Sequence, residues 1–329
     1  MTSRLLAGIT FILATSSIAL AVDTGQANID AFIDSMVSEH DYDLAVLENI
    51  LGQAEFKESI IEQISKPAER TLTWADYRPI FMTTERVQAG AEFWRENRAA
   101  LERVSTESGV PVEIMVGIIG VETYYGRITG GHRVLDALTT LAFYYPPRQT
   151  FFRRELQEFL LLVREEDMQA TDAFGSYAGA MGRPQFMPSS YRAYAVDSTG
   201  DDKRDIWNNW TDVAGSIANY FVAHKWRTGE EVTAQATLSD RFQGAPPDNQ
   251  LSADETVESL SESGVMFSTS LKSDSAAQLV TYEGAAGTEY WIGFHNFFVI
   301  TRYNRSVMYA LAVHQLGQEI AMEVARDES

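Results

Sequence analysis

Residues 110–126 read VPVEIMVGIIGVETYYG and contain an unbroken apolar run. Ile114 to Val121 is apolar on every side of a helix, so the helix is predicted to be buried all round. A fully buried helix needs other helices or a sheet packed around it. We therefore expect residues 110–126 to lie at the centre of a globular body.

Glu122 closes the apolar run and is followed by two tyrosines and a glycine. Burial among apolar groups and a position near the helix C-terminus both disfavour the charged carboxylate, so its pKa is expected to be raised. A carboxyl with a raised pKa suits a general acid. A buried glutamate held by an ion pair or backbone hydrogen bonds explains the same pattern, and these residues alone favour that explanation.

Helical patterning extends from residue 112 back to the N-terminal part and on to Trp226. Apolar residues recur at helix spacing between Ile29 and Ile64 and again from Phe81 to Val104, which predicts one long helix over that second stretch. A final amphipathic helix is predicted from Ser306 to about Val324. The fold class is predicted to be mainly α, with an α+β element.

Residues 230–289 differ from the rest in composition. They hold eleven acidic and two basic side chains and are rich in serine, threonine and glycine with short apolar runs. This pattern predicts a small β or α+β insert. We expect a solvated acidic lobe that carries no chemistry.

The whole chain has 46 acidic against 26 basic residues, a net charge of −20 over 329 residues. This charge repels a polyanion, so nucleic acid is not an expected partner. The absence of cysteine excludes disulfides and thiolate chemistry. Five scattered histidines form no H-E-x-x-H motif, and there is no phosphate-binding loop or nucleophile elbow.

Residues 1–21 resemble an export signal. Arg4 is followed by a short apolar region from Leu5 to Ala14, and Ala19-Leu20-Ala21 forms a small-x-small cleavage site before Val22. A frayed N-terminal helix is the alternative. No cysteine stands at the cleavage point, so no lipid or other stable membrane anchor is expected. We expect a soluble periplasmic protein.

Five ordered blocks resemble one known family. They are VGIIGVETYYGR (116–127), VLDALTTLAFYYPPR (134–148), GSYAGAMGRPQFMPSSY (175–191), AGSIANYF (214–221) and ITRYNR (300–305). Together they are similar to lytic murein transglycosylases of the B type, over residues 77–229 and 290–318. The resemblance implies a lysozyme-like helical core at 109–229, after a signal (1–21) and an N-terminal helical region (22–108). The insert (230–289) then separates that core from a return segment (290–329).

The resemblance further implies cleavage of the β-1,4 bond between N-acetylmuramic acid and N-acetylglucosamine in peptidoglycan. Glu122 is then a single acid and base that leaves 1,6-anhydromuramic acid ends. Glu113 and Asp136 are the nearest second carboxylates along the chain, and neither has an obvious role. No cofactor is required for this chemistry. A hydrolysing muramidase on the same scaffold and an inactive peptidoglycan-binding protein remain alternatives.

The same blocks supply candidate residues that bind the glycan. Aromatic faces stack on pyranose rings, while amide and hydroxyl groups bind N-acetyl dipoles. The candidates are Tyr77, Arg148, Ser176, Gln185, Phe186, Tyr220, Tyr303, Asn304 and Tyr309. The family commonly has Tyr-Pro-Arg-Arg where this chain has Tyr-Pro-Pro-Arg at 145–148. With one arginine left, we expect weaker or differently placed binding of the anionic lactyl or peptide group. For each tyrosine, packing in the core is the simpler alternative.

Residues 197–208, DSTGDDKRDIWN, are similar to a calcium-binding EF-hand loop. The candidate ligands are Asp197, Thr199, Asp201 and the carbonyl of Lys203, with Asp212 as a later ligand. Asp202 stands where the turn glycine is usual, and Asn208 replaces the bidentate acid. A solvated acidic turn is the alternative to a weak structural calcium site.

Overall fold

The predicted buried helix is present as α7, Val112–Thr123. Residues 114–120 are all buried, which follows from the unbroken apolar run. The helix ends where Tyr124 and Tyr125 adopt left-handed backbone angles, with φ of 50° and 57°. Glu122 therefore lies in the last turn, as the sequence predicts.

The C-terminal helix α14, Val307–Asp327, packs along α7. Two glycines make the approach close. A Cβ on Gly317 would lie 2.2 Å from the Glu113 carbonyl oxygen, and one on Gly117 would lie 2.5 Å from that of Val313. Backbone atoms cannot give way as side chains can, so glycine is required on both helices. This contact brings the start of α14 to the end of α7.

The prediction of one long helix from Phe81 to Val104 is wrong. The structure has three helices there: α4 (Trp74–Phe81), α5 (Thr84–Glu96) and α6 (Arg98–Ser108). Thr83 starts α5 because its hydroxyl accepts the N–H of Arg86 at 3.2 Å. Asn97 separates α5 from α6, and its side-chain amide donates to the Phe93 carbonyl at 2.9 Å.

The computed structural model describes residues 20–21, 27–66, 72–243, 245–246 and 248–327. The predicted export signal lies outside these residues except for Leu20 and Ala21, which form strand β1 against β2. The remaining helices are α1 (Ala27–His40), α2 (Leu44–Leu51), α3 (Glu58–Ser65), α8 (Val134–Tyr144), α9 (Gln149–Glu165), α10 (Pro188–Tyr194), α11 (Trp210–Ala223), α12 (Val257–Glu262) and α13 (His295–Tyr303). The strands are β1 (Leu20–Ala21), β2 (Glu55–Phe56), β3 (His132–Arg133), β4 (Phe174–Gly175), β5 (Thr233–Leu238), β6 (Glu255–Thr256), β7 (Val265–Met266), β8 (Ala276–Gly284) and β9 (Gly287–Phe294). The mainly helical fold with a small β element is confirmed.

The late acidic segment forms a five-stranded antiparallel sheet in the order β6-β8-β9-β5-β7. Its own small core includes Leu260, Leu279, Ile292 and Phe294. Strand β9 runs on to Phe294 and leads directly into α13. The sheet is therefore joined without a linker to the segment that returns to α7.

Among the described residues, no single helix is both long and apolar enough to cross a membrane. Helices α6 and α7 reach that length only together, across a bend of 118°.

Candidate active site

Glu122 and Tyr309 meet where α7 ends and α14 begins. The Tyr309 hydroxyl donates to Glu122 Oε1 at 2.5 Å. Tyr309 is buried, with 2% of its surface exposed, whereas Glu122 is half-buried. The carboxyl group of a half-buried residue is thus held by the hydroxyl of a buried one.

Burial and then the charge of Glu122 raise the pKa of Tyr309 well above its ordinary value, and the same two causes raise the pKa of Tyr303. Both phenols therefore stay protonated at neutral pH and act as hydrogen-bond donors. The carboxylate of Glu122 consequently lies beside two neutral phenols and not beside phenolate anions.

An aromatic wall extends from Glu122 through the predicted residues. The Tyr303 ring lies parallel to that of Tyr309, with centroids 6.4 Å apart. Phe186 lies 5.7 Å from Tyr303 and 5.8 Å from Tyr220. The hydroxyls are fixed by backbone carbonyls: Tyr303 donates to Pro184 at 2.6 Å and Tyr220 to Arg302 at 2.5 Å. The structure thus joins Tyr309, Tyr303, Phe186 and Tyr220 in one continuous aromatic cluster, in which Tyr303 is half-buried and the other three are buried.

The glycine-rich loop at 175–186 is folded tightly onto itself. Met181 bridges both Gly175 and Phe186 in the antiparallel sense. The Ser176 hydroxyl accepts the N–H groups of Ala178 and Ala180 at 3.3 and 3.1 Å. These bonds hold Ser176 at the start of the loop, and its hydroxyl donates to none of the residues that the structure describes.

Gln185 has a left-handed backbone, with φ of 54°. Its side-chain amide donates to the carbonyls of Gly182 and Thr129 at 2.8 and 3.1 Å. Thr129 lies in the loop that follows α7. Gln185 therefore ties the glycine-rich loop to the loop after Glu122.

Two other predicted residues border the site without forming its wall. Tyr77 is buried on α4 against Phe81, with ring centroids 5.1 Å apart, and its electrostatic influence reaches Tyr309. Asn304 is the residue that ends α13, directly after Tyr303. Both therefore lie next to residues of the aromatic wall.

Arg148 is placed differently from the other candidates. Its side chain is exposed, and its guanidinium lies over the rings of Phe151 and Phe152, at 4.5 and 5.0 Å from their centroids. Both rings belong to the start of α9. The interactions of Arg148 are thus made with α9 and not with the aromatic wall.

Arg86 is a residue at this site that the sequence analysis missed. Its guanidinium donates to the Gly120 carbonyl at 2.7 Å and lies 4.4 Å from the centroid of Tyr124. It thereby satisfies a carbonyl in the last turn of α7, which a cation stabilises. Its position on α5 resembles any polar residue of an amphipathic helix, so the sequence offered no signal.

The two further carboxylates named from the sequence have other roles. Asp136 is buried, forms an ion pair with Arg133 at 2.7 Å and accepts the N–H of Glu55 at 2.9 Å. Glu113 lies in the first turn of α7, at the opposite end from Glu122.

The carboxylates of the candidate calcium loop lie close together. Asp197, Asp201 and Asp212 each offer an oxygen, and these oxygens lie within 4.8 Å of one another. The Thr199 hydroxyl lies 3.2 Å from Asp197 Oδ1 and 3.5 Å from Asp212 Oδ1. Asp202 supplies the left-handed turn, with φ of 64°, that glycine usually gives. Lys203 follows it and is exposed.

Backbone donors organise this loop around Asp197. Desolvation raises the pKa of Asp197, but the N–H groups of Gly200, Asp202 and Thr199 outweigh it and lower that pKa overall. The buried Asp212 accepts the N–H groups of Ser198 and Asp205 at 2.8 and 3.0 Å. Clustered carboxylate and hydroxyl oxygens are the donor set of a hard cation such as calcium.

Comparison with known proteins identifies a family and similar proteins. Residues 24–318 match the family described as the transglycosylase SLT domain. Membrane-bound lytic murein transglycosylase B of Escherichia coli K12 is 42% identical over 304 residues, which cover 90% of this chain and 83% of that protein. The catenated lytic transglycosylase SltB1 of Pseudomonas aeruginosa is 45% identical, with a TM-score of 0.87 over 91% of this chain and 99% of that chain.

A further similar structure is the E. coli lytic transglycosylase Slt35 in complex with calcium. It is 40% identical, with a TM-score of 0.84 over 94% of this chain and 97% of that chain. These similarities confirm the predicted lysozyme-like helical fold.

Proposed function

Because this chain belongs to the transglycosylase SLT domain family, we propose that Glu122 is its catalytic acid and base. The chain is a lytic transglycosylase that acts on peptidoglycan. The contact between Glu122 and Tyr309 supports the proposal most directly, since it fixes a carboxyl oxygen of a residue that is only half-buried.

The proposed reaction uses one carboxyl group twice. Glu122 first protonates the glycosidic oxygen between N-acetylmuramic acid and N-acetylglucosamine as that bond breaks. The resulting carboxylate then takes the proton of the muramic-acid C6 hydroxyl, whose oxygen attacks C1 and gives a 1,6-anhydro end. Two-carboxylate glycosidases place their pair within about 10 Å. The burial of Asp136 and the remote position of Glu113 support the single-carboxylate scheme.

The aromatic wall is proposed to bind the glycan. The half-buried Tyr303 offers part of its ring, the buried Tyr220 and Phe186 pack against it, and Ser176 and Asn304 offer hydrogen bonds to N-acetyl groups. Gln185 and Tyr77 have shaping roles, because the Gln185 amide already donates to two carbonyls and the Tyr77 ring is buried. Arg148 is proposed to bind an anionic substituent of the glycan through its exposed guanidinium, which packs on Phe151 and Phe152 of α9.

Mass spectrometry of digested peptidoglycan tests this function. A transglycosylase gives muramic-acid ends that are lighter than the hydrolytic product by one water. A muramidase on the same scaffold gives only the heavier, reducing ends. Products carrying added water alone would overturn the proposal.

We also propose a structural calcium ion held by Asp197, Thr199, Asp201, the Lys203 carbonyl and Asp212. The donor set and the short separations of its carboxylate oxygens support this site. Calcium has no step in the chemistry, and its proposed role is to hold the loop between α10 and α11.

The periplasm is the proposed compartment, since peptidoglycan is built there and residues 1–21 have the pattern of an export signal. A fusion of residues 1–21 to a reporter that is active only outside the cytoplasm tests this. We further propose that residues 230–289 form an insert within the catalytic body, with 22–108, 109–229 and 290–329 forming that body.

A further inference from the structure

Two arginines, Arg302 and Arg305, flank Tyr303 and Asn304. Both side chains are exposed, and neither forms an ion pair with any residue that the structure describes. Other arginines of this chain, which are partly buried, form close ion pairs with carboxylates. Arg133 pairs with Asp136 at 2.7 Å, and Arg192 pairs with Glu165 at 2.6 Å. In a chain of net charge −20, two unpaired guanidinium groups beside the site are a local positive feature.

These arginines line a cavity of about 550 Å³, which we call the arginine cavity. Its other lining residues are Asn249, Gln250, Leu251, Ser252 and Thr301. No carboxylate among the described residues lines it, and the nearby Asp254 accepts the Ser252 hydroxyl at 3.3 Å. Hydroxyl, amide and guanidinium groups form a lining suited to an anion.

A second cavity, of about 620 Å³, shares Asn249, Leu251 and Arg305 with the first. It is also lined by residues 306–308, which lead into Tyr309. The pair of cavities therefore runs along the segment that carries both Tyr303 and Tyr309. Glu283 lines the second cavity and repels an anion there, so the anionic group is expected between Arg302 and Arg305.

The walls of the arginine cavity are held in place. The Asn249 side chain accepts the Thr281 N–H and donates to the Thr281 carbonyl, each at 2.8 Å. The Arg302 carbonyl accepts the Tyr220 hydroxyl. One wall is thus fixed to β8 of the sheet and the other to the aromatic wall of the site.

We propose that the arginine cavity binds a carboxylate of the stem peptide that muramic acid carries. This inference rests on the proposed function, because it takes the substrate to be peptidoglycan. The stem is attached to the sugar lactyl group and bears free carboxylates, and the hydrogen bond from Tyr220 to the Arg302 carbonyl joins the arginine cavity to the aromatic wall. Guanidinium groups bind carboxylates in bidentate geometry with strong, charge-assisted hydrogen bonds.

Steady-state kinetics on two substrates test the assignment: glycan strands with stem peptides, and the same strands after an amidase has removed the stems. The double variant Arg302→Gln/Arg305→Gln is expected to raise KM about fivefold to tenfold on the stem-bearing strands. Its KM on the stripped strands should match that of the unmodified protein. Arg241→Gln, an exposed arginine in the sheet segment, is the matched control and should alter neither value.

Equal KM values for the double variant and the unmodified protein on stem-bearing strands would overturn the inference. So would an equal rise on both substrates, which would indicate a distorted site. The single variants and a thermal melt identify misfolding. Cleavage of stripped strands to anhydro products by the unmodified protein tests the proposed function separately, so the two claims fail in different ways.

Discussion

The Tyr309 hydroxyl lies 2.5 Å from Glu122 Oε1 and donates to it across the contact between α14 and α7. The two residues are 187 positions apart, and they meet because the two helices pack at Gly117 and Gly317. The site is thus formed by one helix from the body and one that follows the sheet insert.

Replacing Tyr309 by phenylalanine removes this hydrogen bond and keeps the ring. We expect kcat to fall about tenfold with little change in KM, since a hydrogen bond to a charged group is lost. The alkaline limb of the rate profile should move to higher pH, because the carboxylate loses a donor that favours its charged form. Steady-state rates from about pH 5 to about pH 9 measure both effects.

Tyr42→Phe is the control for this variant, as its hydroxyl donates to the Leu160 carbonyl far from Glu122. It should leave the profile unchanged. A lower kcat in Tyr309→Phe with an unmoved alkaline limb would mean that Tyr309 only shapes the site.

Replacing Gly317 by alanine tests the close approach of α14 to α7. Alanine normally stabilises a helix relative to glycine. Here the added Cβ would lie 2.2 Å from the Glu113 carbonyl oxygen, so we expect a net loss of about 1–3 kcal/mol in the free energy of unfolding. Urea titration measures it. At Gly131 a Cβ meets nothing within 4 Å, and an equal loss in Gly131→Ala would refute this explanation.

His314 is predicted to make the fold sensitive to acid. Its Nδ1 is buried without a hydrogen-bond partner among the described residues, and desolvation lowers the pKa of His314 from 6.5 to about 4. The unfolded chain therefore binds this proton first as pH falls. The contribution to stability is fully present above pH 6.5 and is lost on descending to about pH 4.

The loss of stability between these two pH values amounts to about 3 kcal/mol, because a tenfold difference in proton affinity is worth about 1.4 kcal/mol. Unfolding by urea at several pH values measures it. His314→Leu should lose this part of the acid dependence, whereas His40→Gln should keep it. An unchanged pH dependence in His314→Leu would contradict the prediction.

Calcium is expected to stabilise the protein through the loop at 197–212. For a site with millimolar or submillimolar affinity, about 5 mM calcium adds about 1–2 kcal/mol, or a few degrees in Tm. Thermal melts in calcium and in a chelator measure the difference. Asp197→Asn/Asp201→Asn should abolish it, and Asp274→Asn, an exposed acid elsewhere, should not. An equal calcium response in all three proteins would exclude this loop.

The sequence predicted those features that depend on the spacing of apolar residues within one segment or on an unbroken motif. The apolar run at 114–121 predicts α7, and with it the place of Glu122. The breaks at Thr83 and Asn97 were missed because apolar periodicity continues across them, although both residues are common at helix ends. Arg86 and its carbonyl partner Gly120 are 34 positions apart, and no periodicity connects them.

The loop at 197–212 shows the same division. Its aspartates could be identified from the sequence. The missing turn glycine argued against a calcium loop, but Asp202 adopts the left-handed backbone that glycine usually provides there. The closeness of Asp212 depends on where α11 begins, which is a tertiary property. Likewise, the sequence could not predict a binding site at Arg302 and Arg305, because the other wall of their cavity is the distant segment at 249–252.

The turnover of purified sacculi by Glu122→Gln tests whether Glu122 is the catalytic acid and base. Glutamine keeps the shape of the side chain and cannot exchange a proton at the pH of the reaction. We predict a fall in kcat of at least about a thousandfold, with the thermal melt and sacculus binding unchanged. Turnover within a few fold of the unmodified protein, in a folded variant that binds sacculi, would contradict the assignment of Glu122.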